Sequence, residues 1–176
     1  WPDFESALDV HRLMTVAGRP NDVYMATGRN LYHSADKGST WDLMPLPENR
    51  IAYPDALVIL PQQPEVMFTA GSSMSPGRQW AASGDANAAI ARSRNAGRTW
   101  EYLSGGLPGH LRGNVEGMTM NVFPGGFELF AGTTDGDVFF SDNEGNAWST
   151  IGQGLPPVSK GGHYRPLRPD LVAASH

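Results

Sequence analysis

Three octapeptides in register constrain this chain more than any other feature. They are Ser34-Ala35-Asp36-Lys37-Gly38-Ser39-Thr40-Trp41, Ser93-Arg94-Asn95-Ala96-Gly97-Arg98-Thr99-Trp100 and Ser141-Asp142-Asn143-Glu144-Gly145-Asn146-Ala147-Trp148. Serine, a short acid or amide, glycine and tryptophan keep the same offsets in each. Self-similarity of this kind marks a chain built from stacked repeats, here with a period of about 50 residues. Physically the pattern describes a hairpin turn opened by Ser34, Ser93 or Ser141. Asp36, Asn95 or Asn143 caps backbone N–H groups, Gly38, Gly97 or Gly145 takes a positive φ, and Trp41, Trp100 or Trp148 packs its ring beside the turn. Asp142 and Glu144 add carboxylates beside Asn143, but the twelve-residue loop of an EF-hand is missing, so the turn reading is preferred to calcium binding.

Strand signals repeat around each octapeptide and predict four strands per unit, A to D. In the first unit these are His11 to Val16, Asp22 to Thr27, Asn30 to Ser34 and Trp41 to Leu46. The second offers Ala56 to Leu60, Glu65 to Ala70, Ala89 to Ser93 and Trp100 to Leu103. The third offers Met118 to Val122, Glu128 to Gly132, Asp137 to Ser141 and Trp148 to Ile151. Turn residues stand between A and B at equivalent places, and Leu46-Pro47, Leu107-Pro108 and Leu155-Pro156 follow the D strands. Proline at those points ends strand pairing and turns the chain toward the next unit.

The octapeptides resemble the Asp box, the bacterial neuraminidase repeat S-x-D-x-G-x-T-W. The first copy matches throughout, the second has Asn95 for the acid, and the third has Asn143 and Ala147. The chain thereby resembles sialidase-like and glycosyl-hydrolase-like propellers of the Asp-box family, which implies an all-β fold, a β-propeller of four-stranded antiparallel blades with Asp-box turns. About three and a half blades are expected. Residues 11–47 form blade one, 54–108 blade two with an inserted loop at 71–87, and 116–156 blade three. Arg168 to Ser175 resembles the turn and B strand at Arg19 to Thr27, so residues 163–176 are expected to be the A and B strands of a fourth blade. Residues 1–10 are expected to hold the D strand of a preceding one, because Trp1 stands before its A strand as Trp41 stands before Ala56. Closed propellers have about 4 to 8 blades. The ring is therefore expected to close either with the remaining blades of a longer chain or with a second copy that exchanges strands.

Charge limits the partners. A net charge of -5 and a pI near 5.4 supply no basic field, so neither nucleic acid nor a membrane surface is expected as a partner. The absence of cysteine removes disulfides, thiolate nucleophiles and cysteine metal sites. Composition leaves the compartment open, and the family resemblance leans toward an extracytoplasmic setting.

The resemblance also implies that the D–A and B–C connections share one face of the propeller, opposite the octapeptide turns. Arg50, Tyr53 and Asp55 follow blade one on that loop face, His110, Arg112, Asn114 and Glu116 follow blade two, and His163, Tyr164 and Arg165 follow blade three. The insertion at 71–87 adds Arg78 and Trp80, and long loops in compact folds often carry function. Arg50, Arg78, Arg112 and Arg165 suit an anionic ligand, and Tyr53, Trp80 and His110 add surfaces for a sugar or ring. Asp55 and Glu116 form the acid pair that glycoside hydrolysis would require, and His163 beside Tyr164 is a candidate general base. His11, His110 and His163 are a candidate site for a divalent metal in the channel, and no other cofactor is indicated. Sialidases hold a substrate carboxylate with an arginine triad and use a Tyr/Glu nucleophile pair. This sequence departs from that pattern: it has no Arg-Ile-Pro motif, and Arg50-Ile51-Ala52 stands in the wrong place. Two function classes stay open, a module that binds a ligand or partner and a hydrolase or lyase centred on the channel.

Overall fold

The computed structural model describes residues 9–47, 50–75 and 83–159. Twelve strands form three antiparallel sheets among them, each following chain order from inside to outside. Blade one comprises β1 (Val10–Val16), β2 (Arg19–Thr27), β3 (Leu31–Ser34) and β4 (Asp42–Met44). Blade two comprises β5 (Tyr53–Ile59), β6 (Met67–Ser72), β7 (Ala89–Ser93) and β8 (Glu101–Leu103), and blade three β9 (Val115–Phe123), β10 (Gly126–Thr133), β11 (Val138–Ser141) and β12 (Ser149–Gly152). All twelve expected strands are present, and Ala89–Ser93 agrees residue for residue. The largest shifts are at strand starts: β2 begins three residues before the expected Asp22, and two inner strands are displaced as far. β5 and β9 begin three residues before the expected Ala56 and Met118, because Asp55 and Glu116 break the apolar pattern in sequence yet are buried within the strand. Val10 already belongs to β1. Asp9 lies outside any strand, while residues 1–8 of the preceding D strand expected over 1–10 and the fourth-blade strands expected over 163–176 lie outside the described residues.

Each octapeptide turn is built around its serine. Ser93 Oγ donates to Asn95 Oδ1 at 3.0 Å and accepts from Gly97 N at 2.8 Å, while Asn95 Oδ1 also accepts from Thr99 N at 2.9 Å. Ser34 with Asp36 and Ser141 with Asn143 repeat the arrangement. In the first turn, four hydrogen bonds from Thr40, Ser34 and Ser39 hold the exposed Asp36 carboxyl down to about 2. The turn places two consecutive residues in the left-handed region, so Lys37, Ala96 and Glu144 share a positive φ with the glycine that follows them. That conformation at a non-glycine residue is not visible in the octapeptide pattern.

The blades join through these same turns. Gly97 leaves the space that its Cβ would need to Met44 of β4, and Gly145 does the same for Leu103 of β8. Each tryptophan ring lies on the glycine of its own turn. Trp41 and Trp148 donate Nε1 to that glycine's carbonyl, whereas Trp100 donates to Pro45 O of blade one at 2.9 Å. Arg92, only 5 % exposed, adds a polar tie between blades two and three. It donates to Glu101 Oε1 at 2.7 Å, Glu144 O at 2.6 Å and Asn146 Oδ1 at 3.0 Å. The hydrogen bond from Arg92 is the main reason that the Glu101 carboxyl is held below its usual range. The middle blade has a neighbour on both sides, and every residue of β5, β6 and β7 is buried.

Removing the serine hydroxyl should cost about 1–2 kcal/mol, because the buried Gly97 N–H then loses its acceptor. Urea denaturation of Ser93→Ala should show that loss with an unchanged m-value. A midpoint equal to wild type would mean that the turn does not depend on its serine.

Candidate functional site

One β-bulge interrupts each inner strand close to its start. Val10 pairs with Thr27 and Arg12 with Ala26, which leaves His11 without a ladder partner. Pro54 pairs with Gly71 and Ala56 with Ala70, leaving Asp55, and Val115 pairs with Thr133 and Gly117 with Gly132, leaving Glu116. A bulge inserts one residue against none across the ladder and re-aims its side chain. His11, Asp55 and Glu116 are thus structurally equivalent, one per blade, and each is ionisable. Gly71 is required by the close approach of the second bulge, since a Cβ there would collide with the Tyr53 carbonyl.

The three side chains form a polar cluster with Tyr53 and Asn114, all buried, and with the partly exposed Asp9. His11 Nδ1 lies 2.7 Å from Pro54 O and 3.1 Å from Asp55 Oδ1, and its Nε2 lies 3.0 Å from Asp9 Oδ1. Asn114 Nδ2 donates to Asp55 Oδ2 at 2.5 Å and to Glu116 Oε1 at 3.5 Å, so one amide links the two carboxylates. Asn114 is itself held by Thr134, whose Oγ1 accepts from its backbone N–H at 3.0 Å. Its Oδ1 is buried and meets no donor among the described residues. The Tyr53 ring lies 4.7 Å from that of His11. Burial, and then the carboxylates of Asp9, Asp55 and Glu116, push the Tyr53 phenol far above its usual range, so it remains protonated. Asp55 is 0 % and Glu116 2 % exposed, so both carboxylates are engaged inside the protein.

The structure therefore brings together Tyr53, Asp55, Asn114 and Glu116 of the expected loop-face residues, with His11. Asp9 was missed, because residues 1–10 read as part of a preceding blade. The signal that would have found the cluster is the repeated spacing Asp9-Val10-His11, Tyr53-Pro54-Asp55 and Asn114-Val115-Glu116, polar residues two apart at the head of each A strand.

A second group lies at the rim. The return arm of the insertion is fastened to the β8–β9 connection: Ala86 N donates to Arg112 O at 2.7 Å and Ala88 N to Leu111 O at 2.9 Å. Exposed His110 sits 2.9 Å from both oxygens of Asp85, and Arg112 Nε donates to Gly84 O at 2.7 Å. Against desolvation, which raises it, the Asn87 N–H, His110 and Arg112 hold the Asp85 carboxyl below its usual range. Arg50 donates Nη2 to Ala88 O at 3.2 Å and lies over the Tyr102 ring. Arg78, Trp80, His163, Tyr164 and Arg165 lie outside the described residues. Among the described residues no three His, Asp or Glu side chains gather as a metal site: His11 and His110 each engage a carboxylate in a different group.

Further along the inner strands a cavity of about 320 Å³ is lined mostly by apolar side chains, among them Met14, Val58, Met118 and Met120, together with Arg12 and Thr119. A wider cleft of about 1010 Å³ opens between the turns of blades two and three, beside Gln63, Phe123 and Asp142. Its Arg94–Glu144 ion pair, at 2.7 Å, bridges the octapeptide turns of the two blades. The ionisable side chains expected at the loop face that are among the described residues lie in the cluster and the rim, not along this cleft.

No family model and no curated protein sequence matches the chain. Solved structures do. An ancestral GH74 enzyme aligns with a TM-score of 0.60 at 17% identity, over 86% of this chain and 19% of its own length. YCF48 bound to D1 peptide aligns at 0.56 and 14% identity, over 82% of this chain and 40% of that one. The GH74 xyloglucanase from Xanthomonas campestris aligns at 0.54 and 15% identity, over 86% and 24%. The chain thus spans well under half the length of the structures it resembles. At these identities the likeness establishes the fold, that of β-propeller blades.

Asn114→Ala should destabilise by about 2–3 kcal/mol in urea denaturation, since it strips a donor from two buried carboxylates. A cost below about 0.5 kcal/mol, the scale of an ordinary surface change, would contradict the linkage. Tyr53 has its pKa raised by folding, so its contribution is complete below the ordinary tyrosine pKa of about 10 and is lost as pH rises toward the raised value. Between about pH 9 and 12, Tyr53→Phe should therefore lose less stability than wild type. Equal losses would show that the phenol is not perturbed.

Proposed function

We propose that this chain is part of an Asp-box β-propeller that serves as a binding module, with the face of its D–A and B–C connections as the recognition surface for an anionic or carbohydrate ligand. The observation that carries this reading is the division of labour between the two polar groups. Asp55 and Glu116 are buried and bonded to Asn114 or His11, which leaves neither carboxylate open to a substrate arriving from solvent. Arg50 and Arg112 instead stand beside the fastened insertion and commit one guanidinium donor each to a backbone carbonyl. A guanidinium has five N–H donors, so both retain donors for a carboxylate or a sugar hydroxyl. The insertion arm and the β8–β9 connection hold these groups in place, which lowers the entropy lost on binding. YCF48, bound to D1 peptide, provides a precedent for blades of this shape in a binding protein.

An enzymatic reading draws on the GH74 likeness and on one observation, the meeting of two carboxylates at Asn114. It requires Asp55 or Glu116 to become exposed when substrate binds.

Calorimetric titration with a uronic-acid oligosaccharide, a short acidic peptide and a neutral oligosaccharide tests the proposal. Binding of an acidic ligand should weaken roughly tenfold or more in the Arg50→Ala, Arg112→Ala double variant, with no cleavage of the ligand by wild type. Cleavage by wild type that disappears in Asp55→Asn would replace the binding module with the enzyme.

A further inference from the structure

The cleft of about 1010 Å³ between blades two and three has walls that the blade pattern alone does not require. Counted from the bulged residue, β9 runs seven residues to Phe123, whereas β1 runs five to Val16 and β5 four to Ile59. The paired part of the β9–β10 hairpin is therefore longer by two or three residues, roughly 7–10 Å at about 3.4 Å per residue. Pro124 and Gly125, the latter at φ 94°, suit the two central positions of a type II turn and fix the hairpin tip. The facing wall is the β5–β6 turn, tied by Gln63 N donating to Leu60 O at 3.1 Å and Val66 N to Gln63 O at 2.8 Å. Both walls come from blades two and three, which pack against one another in the middle of the described chain, so the cleft is not an outer face of the arc.

Its chemistry is divided between floor and lip. Leu60, Val66 and Phe127, nearly buried, form an apolar floor, and the half-buried Val122 continues it along the hairpin. At the lip stand the exposed Gln62, Gln63 and Asp142, none of whose side chains makes a hydrogen bond or ion pair among the described residues. The arginines are already committed. Arg94 donates Nη2 to Glu144 Oε2 at 2.7 Å, and Arg92 behind it donates Nε to Glu101 Oε1 at 2.7 Å. Two cations thus offset two carboxylates, and Asp142 leaves the lip with one negative charge in excess. Side-chain amides offer donors and an acceptor together, which matches the N–H and C=O groups of a peptide backbone.

We propose that this cleft binds an extended segment of a partner protein that carries an apolar side chain beside a lysine or arginine. The apolar side chain lies on the floor, the Gln62 and Gln63 amides hydrogen-bond the backbone of the segment, and Asp142 pairs with its cation. A volume at the top of the roughly 300–1,000 Å³ range of small-molecule sites gives room for several residues. The hydrogen-bonded turns hold both walls in place before binding, which limits the entropy lost. This site lies among the octapeptide turns, away from the D–A and B–C connections, and its charge preference is opposite to that of the arginines there.

Selection of a phage-displayed heptapeptide library on the 176-residue chain tests the proposal. The enriched sequences should pair an apolar residue with lysine or arginine. The best of them, labelled with fluorescein and followed by anisotropy, should bind roughly tenfold or more weakly to Asp142→Lys and to the Gln62→Ala, Gln63→Ala double variant, and about as well to Asp142→Glu. Its affinity should fall as sodium chloride is raised. The Arg50→Ala, Arg112→Ala double variant should bind it like wild type, which separates this site from the loop face. Melting temperatures should stay near wild type because the substituted cleft side chains are exposed, and if Asp142→Lys melts early, Asp142→Asn replaces it. Enrichment of acidic sequences, the absence of any enriched sequence, or binding that the cleft variants leave unchanged overturns the proposal. A neutral oligosaccharide that binds wild type but not the glutamine double variant, with no peptide enriched, overturns it as well and assigns the cleft to a sugar.

Discussion

The hydrogen bond between the octapeptide serine and the glycine four residues later is the contact on which the rest of the structure depends. It closes the turn between the two outer strands of each blade, and in doing so it sets the glycine where the preceding blade must pack. A glycine at that point serves two constraints at once. Its positive φ completes the turn, and its missing side chain admits Met44 or Leu103 from the neighbouring sheet. Local turn chemistry therefore determines how blades stack, and stacking determines which strands line the centre.

That dependence explains why the fold could be read from sequence and much of the site could not. Ala89–Ser93, flanked by an insertion and an octapeptide, has boundaries fixed by local signals, and its expected and observed limits coincide. The beginnings of β5 and β9 are instead set by contacts among blades. Asp55 and Glu116 look like loop residues because their charges interrupt the apolar run, and only their equivalence across three sheets reveals them as bulges in buried strands. Asp9 precedes the first octapeptide, and only the spacing that Asp9-Val10-His11 shares with the starts of the other two inner strands points to its partner His11. Asn114 reads as one polar residue among several in a long connection, yet it bonds to residues 59 and 2 positions away in the chain. Distances of the first kind are not encoded in periodicity.

The cluster at the head of the inner strands is best understood as a balance of burial against mutual satisfaction. Carboxylates from blades two and three and the imidazole from blade one would each be costly to bury alone. Together with one amide they supply donors and acceptors to one another, so that the polar contacts cross both seams near the starts of the inner strands. The Tyr53 phenol, kept protonated by burial and the surrounding carboxylates, belongs to the same balance. The rim differs in kind: His110, Asp85 and Arg112 are exposed, and their pairings fasten an insertion rather than complete a core.

The bulges have one further consequence. A residue within a regular ladder is matched to a partner across the strand, so replacing it disturbs two chains at once. His11, Asp55 and Glu116 have no such partner, and the blades hold three chemically unlike side chains at one equivalent place without altering the pairing on either side. The repeat thus separates the positions that preserve its architecture from those at which its chemistry can diverge. Duplicated blades can acquire different central residues while the framework around them stays the same.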